Sequence, residues 1–269
     1  LEFISDLAKN FDQKSDRAIE ILTSTLSTIM NRKNLLIGIS AGEKEYPILR
    51  KNVEMFIQRL PDKEYGHPNK LTLNPSKMNE AILTPMQVQH IYLATNFKSK
   101  GYPFSGKMLV LAKALEKQYI WPEIREKGGA YGGSVHFDNS GEIVFSSYRD
   151  PHLRESIEIF RKTPEFLAGL KLSEDDLKRN IIRVIADSDN PQSNEEKVDT
   201  IMSRIITGRT DEIRQRQRDE ILATRVSDIP DFGRMLKDCL QDEVHTVIGY
   251  EEKLKTQGDL FDRFVEVPD

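Results

Sequence analysis

The side chains that most often hold metal or act as nucleophiles stand in spacings that do not support either role here. The five histidines are His67, His90, His136, His152 and His245, and none falls in H-x-x-E-H or H-E-x-x-H, the helical spacings that put two imidazoles and a carboxylate on one face. His152-Leu153-Arg154-Glu155-Ser156 comes nearest and lacks the second histidine. The single cysteine, Cys239, lies among Leu236, Leu240 and Val244 and reads as core. Ser146-Ser147 lacks the G-x-S-x-G surroundings of an activated serine. What remains is an auxiliary chemical role, and the stretch built for one runs from Trp121 to Pro151, W-P-E-I-R-E-K-G-G-A-Y-G-G-S-V-H-F-D-N-S-G-E-I-V-F-S-S-Y-R-D-P. Glycines crowd both sides of Tyr131, at Gly128, Gly129, Gly132 and Gly133. The first pair, after Arg125-Glu126-Lys127, has the form of a helix end with a left-handed glycine. The second pair predicts the close approach of another backbone, so that something extended lies against Tyr131. A nucleotide-phosphate loop is excluded, because the order is helix to strand and no Lys-Ser/Thr follows.

The run I-R-E-K-G-G-A-Y-G-G, followed by a hairpin and S-Y-R-D-P, resembles the last domain of the presequence-protease (falcilysin-like) branch of the pitrilysin and insulinase family of zinc peptidases. The resemblance reaches from about Asn34 to about Leu254, and its specific part is the stretch around Arg125 and Tyr131. It implies four related α/β modules in two halves that close around a peptide, with zinc held by an inverted H-x-x-E-H motif of the first module. It also implies that the last module adds an arginine and a tyrosine at the scissile region. By motif match these are Arg125 and Tyr131, in catalytic and substrate-binding roles, with Gly132 leaving room for the peptide. A phenol aimed at the oxygen on which charge develops stabilises the transition state more than the ground state. A guanidinium, a fixed fork of donors, can hold peptide carbonyls nearby. Read without the resemblance, Arg125 is a helix-end cation and Tyr131 a half-buried strand aromatic.

The function so implied is the C-terminal, non-zinc-binding module of a zinc metalloendopeptidase that degrades unstructured peptides in a closed chamber, inactive as a separate chain. Zinc is the cofactor of the parent enzyme and none is bound by this chain. The partners are the N-terminal modules of the same polypeptide and unstructured peptides. The alternative is a non-catalytic scaffold or processing-partner module of the same fold, and an H-x-x-E-H motif elsewhere in the polypeptide separates the two.

Composition agrees with a protein of a reducing compartment. One cysteine in 269 residues excludes an internal disulfide, and 30% of residues are charged. The net charge of -4 offers no basic field for nucleic acid, and no apolar run reaches the ~20 residues of a membrane span. The expected compartment is a bacterial cytoplasm, with an organelle matrix the other possibility. The start Leu1-Glu2-Phe3, without a methionine, reads as a piece of something larger.

The elements that must position this stretch follow from periodicity. Apolar residues at spacings of three and four predict one long amphipathic helix over 3–31 and another over 47–60. Asn34–Ser40 reads as a buried strand, 61–78 as an exposed connection, and 80–83 and 88–97 as strands. A helix over 104–119 leads into the opening stretch, where Tyr131, Gly133, Val135 and Phe137 share one strand face and Asp138–Gly141 turns the chain into a second strand. Helices are expected over 152–169, 174–189, 194–207, 211–225 and 228–241, two of them started by capping boxes at Ser173 and Ser193. Arg214–Arg218, set between Asp211-Glu212 and Asp219-Glu220, reads as a solvated, salt-laced helix rather than a nucleic-acid patch. Val244–Tyr250 is the last of six strands, and the tail after Lys255 is irregular. The fold class is therefore α/β of the α+β type: one module with a single six-stranded mixed sheet covered by helices.

Overall fold

The computed structural model describes residues 2–63 and 77–267. Most of the connection expected over 61–78 lies outside them. The chain divides into two compact units, one of residues up to 63 with 191–210, the other of 77–190 with 211–267.

The second unit holds one six-stranded sheet: β1 (Glu80–Thr84), β2 (Gln89–Asn96), β3 (Gly132–Phe137), β4 (Glu142–Asp150), β5 (Val244–Tyr250) and β6 (Arg263–Glu266). Their order across the sheet is β3-β4-β2-β5-β1-β6, so β3 is an edge strand. β1 runs parallel to β5 and β6, whereas the β3–β4, β4–β2 and β2–β5 pairs are antiparallel. Side chains alternate between the two faces. One face, with Ile91, Leu93, Val135, Phe137, Ile143, Phe145 and Val247, is buried. Helices cover it: Phe145 stacks on Phe160 of the helix Arg154–Arg161 at 5.5 Å, and Phe137 meets Phe232 of the helix Ile229–Cys239 at 5.3 Å. Burying such large rings contributes ~1.5–3 kcal/mol each and fixes the register, because a one-residue slip would turn them outward. The opposite face, with His90, Tyr92, Ser134, His136, Ser146 and Tyr148, stays half or fully exposed.

The mixed six-stranded sheet matches expectation, but one of its strands does not. Asn34–Ser40 is not a strand. Residues 32–34 form a short 3-10 turn, and the apolar run after it joins no ladder among the described residues. It packs beside the helix Asn194–Thr207 instead, close enough that a Cβ on Gly38 would stand 2.3 Å from Val198. The sixth strand is β6, within the tail expected to be irregular. The expected helix 3–31 is two helices, Glu2–Lys9 and Phe11–Ile29, since Asn10 turns its amide back to Asp6 O (3.2 Å) and competes with the helical bond. The expected 152–169 helix likewise splits, because Pro164 opens a new one, Thr163–Gly169. Ser193 closes a full capping box with Glu196, while Ser173 caps Asp176 N without the reciprocal bond.

Candidate functional site

The site begins in the helix Gly106–Leu115, which continues as a π-helix, Glu116–Lys127, with Pro122 inside it. A proline in a helix removes one donor and crowds the preceding turn, and wider winding gives the ring room. Trp121 and Arg125, four residues apart, fall on one face, and the guanidinium carbon of Arg125 lies 4.5 Å from the Trp121 ring centre. The helix then closes through Gly129 N to Arg125 O (2.9 Å) and Ala130 N to Ile124 O (3.1 Å), each bond one residue wider than in an α-helical close. Gly129, at φ 74°, takes the left-handed conformation that this reversal requires.

The reversal brings Tyr131 to the same cation. The Arg125 carbon is 5.3 Å from the Tyr131 ring centre, and its Nη1 donates to Tyr131 O. Two aromatic rings thus lie against one guanidinium, which suits a weakly hydrated planar cation. Tyr131 N donates to Tyr148 O (3.0 Å), carrying the β3–β4 ladder one residue beyond β3. The Tyr148 ring meets Tyr131 edge-on at 5.8 Å, and His90 of β2 meets Tyr148 edge-on at 4.5 Å. Trp121, Arg125, Tyr131, Tyr148 and His90 thus form one continuous stack at the sheet edge. Tyr131 is its most open ring, 64% exposed, against 40% for Trp121 and 49% for Tyr148. Its hydroxyl has no hydrogen-bond partner among the described residues and points its chemistry outward.

Two expectations change here. Tyr131 does not share the buried face of Val135 and Phe137, because it precedes β3 and faces solvent. Gly133 is not an approach for an outside chain. A Cβ there would stand 2.8 Å from Ile124 Cγ2 and 3.1 Å from Ile120 Cγ2, so its bareness lets the π-helix lie against β3. Gly132 is the open one, with nothing within 4 Å of its missing Cβ. Trp121, Tyr148 and His90 were not singled out by sequence. Only Trp121, at i−4 from Arg125, left a signal that could have found it.

No group of three or more His, Cys, Asp or Glu able to hold a metal occurs among the described residues. Cys239 is buried and its thiol is pushed up to about 11 by that burial, which makes it inert as a nucleophile. His152 is exposed and its backbone N–H donates to Asp150 Oδ1. Arg214 pairs with Asp211, one of the flanking acids, whereas Arg218 pairs with Asp189, outside the arginine-rich helix. No helix of the described residues is long and apolar enough to cross a membrane.

Known proteins place the chain in a family. The profile described as "PreP C-terminal domain" matches residues 79–250. Presequence protease 1, chloroplastic/mitochondrial, of Arabidopsis thaliana is 32% identical over 99% of the chain and 25% of its own length. Protein HypA of Clostridium perfringens is 31% identical over 99% of the chain and 27% of its own. The chain therefore spans about a quarter of these relatives. Among solved structures, a protease from Helicobacter pylori (TM-score 0.54, 15% identity, 78% of this chain and 53% of that one) shares the fold. So does a peptidase M16 inactive domain from Pseudomonas fluorescens (TM-score 0.52, 12% identity, 78% and 51%). The matched span takes in β1 to β5, the π-helix and the Arg125–Tyr131 run, with β6 beyond it, and on this match the chain belongs to the family of presequence-protease C-terminal domains.

Proposed function

We propose that this chain is the C-terminal module of a zinc metalloendopeptidase that degrades unstructured peptides in a closed chamber, and that it completes the active site without holding the metal. Residues 1–269 act as one module, whose partners are the N-terminal modules of the same polypeptide, in a bacterial cytoplasm or an organelle matrix. The observation that carries this reading is the outward-facing Arg125–Tyr131 stack at the edge of the sheet. Its residues offer no ligand set for zinc, so no step here runs through the metal. The phenolic O–H of Tyr131 donates a hydrogen bond to the carbonyl oxygen on which charge builds as water attacks the peptide. Arg125, held against Trp121 and Tyr131, keeps further donors of its fork for carbonyls of the peptide and orients the bond to be cut. Gly132, on the edge strand β3, leaves the space an extended peptide needs to lie alongside.

Arg125→Ala in the full-length polypeptide tests this. It is expected to raise KM and lower kcat together on an unstructured peptide, because a guanidinium that holds substrate contributes before the transition state is reached. Unchanged constants with normal folding would assign Arg125 to packing alone. The same fold as a non-catalytic scaffold is the second reading, and an H-x-x-E-H motif in the rest of the polypeptide decides against it.

A further inference from the structure

The strand that carries Tyr148 contains an irregularity with a consequence for substrate. β4 pairs with β2 so that Ser147 faces Ile91 and Asp150 faces Gln89, leaving Tyr148 and Arg149 together opposite His90. Two residues against one is a bulge, a device that re-aims side chains. Along β4, Ile143, Phe145 and Ser147 point inward and Val144 and Ser146 outward. Unbroken alternation would send Arg149 into the core and Asp150 out. The bulge does the reverse: Tyr148 and Arg149 are both exposed and Asp150 is fully buried.

Arg149 accepts an unfavourable backbone for this, φ 51°, a conformation its Cβ disfavours, and its surroundings impose it. Buried Asp150 takes His152 N on Oδ1 (2.8 Å), and its Oδ2 has no partner among the described residues. Buried Gln89, its amide nitrogen turned toward them, donates to Asp150 O (2.7 Å) and His152 O (3.3 Å). Gly249 of β5 makes the space, since a Cβ there would stand 2.8 Å from Gln89 Cγ and 3.2 Å from its Cα. Lys253 holds Pro151 O from outside. All of this fixes one result, a guanidinium on the outer side of the strand, next to the residue whose carbonyl takes Tyr131 N. Arg154, Arg161 and Arg218 each have a carboxylate partner. Arg149 has none among the described residues.

We propose that Arg149 is a second guanidinium of the peptide-binding surface and takes a carboxylate of the bound peptide, either a chain terminus or an acidic side chain. This rests on the reading of Arg125 and Tyr131 given above. The planar fork matches a carboxylate in a bidentate pair, and the bulge fixes the backbone from which that fork is presented.

The test uses the full-length enzyme and peptides that differ in one feature at a time: a free or amidated C-terminus, and Glu or Gln at each position. Arg149→Gly is expected to raise KM by ~10- to 100-fold for the peptide bearing the recognised carboxylate, the size of a lost charge-assisted hydrogen bond. Its KM for the neutral counterpart should match wild type, and its melting temperature should not fall, because glycine adopts the left-handed conformation freely. Arg149→Lys should keep only part of the affinity, because an ammonium retains the charge and cannot form the bidentate pair. The arm that shows the loss identifies terminus or side chain. Equal KM rises on charged and neutral peptides, or no rise on any, overturn the proposal. Tyr131→Phe measured alongside separates the two ideas, since its failure to lower kcat would count against the catalytic reading while the charge dependence is read from KM.

Discussion

At the scale of single residues, the sequence singled out Arg125 and Tyr131 and left their neighbours dark. The local run is legible because it lies within ten positions. Tyr148 and His90 join it only through strand pairing, and the register that brings them together is set by burial of Phe145 and Ile91 on the other face. The glycines show the same limit. Sequence says that Gly132 and Gly133 need space and cannot say for what. Structure gives Gly133 to Ile120 and Ile124 and leaves Gly132 open. Alanine should therefore act unequally at the two sites. Gly133→Ala is expected to lose ~1–3 kcal/mol by overpacking against Ile124. Gly132→Ala should stay within ~0.5 kcal/mol, as surface changes do. Urea unfolding of the two variants checks this, and equal losses would mean that the helix does not rest on β3 as described.

At the scale of elements, legibility followed the clarity of the local signal. β5 was placed as Val244–Tyr250 because alternation and flanking polar residues bound it on both sides, and the helix Asn194–Thr207 because Ser193 and Glu196 mark its start. Asn34–Ser40 misled because a short apolar run reads the same whether a sheet or a helix covers it. β6 carries no strand pattern because Arg263–Glu266 is short, at the sheet edge and half charged, which is how edge strands avoid outside pairing. The π-winding had no signature beyond Pro122. Where the sequence signal was strongest, its energetic weight is testable. Ser193→Ala removes the oxygen that accepts Glu196 N (3.2 Å) and should cost ~1 kcal/mol of local stability. Hydrogen exchange in the first turn of that helix should quicken, and unchanged protection there would show that the box is ornamental.

At the scale of the whole molecule, the account is one of divided labour: a sheet buried on one side, an open face on the other, and a cation–aromatic stack at its edge. Stability should carry a mark of the buried side. His245 Nε2 pairs with Leu260 O (2.9 Å) while Nδ1 is buried without a partner among the described residues, and burial holds its pKa below the ordinary 6.5. The unfolded chain thus takes up the proton first, so this contribution is complete above 6.5 and is lost as pH falls through the depressed folded value. Glu243, raised by burial against the pull of Arg161, has the opposite sign and softens the slope. His245→Gln should flatten the fall in urea midpoint between about pH 7 and about pH 5, and an unaltered slope would contradict this assignment. The division of labour itself is tested most directly by Tyr131→Phe in the full-length polypeptide, with kcat and KM measured on an unstructured peptide and zinc content checked. That change removes one donor and little volume, so the account predicts unaltered zinc and fold with turnover lowered ~100–1000-fold. Unchanged kcat and KM at normal zinc content would show Tyr131 to be a packing residue and contradict the account.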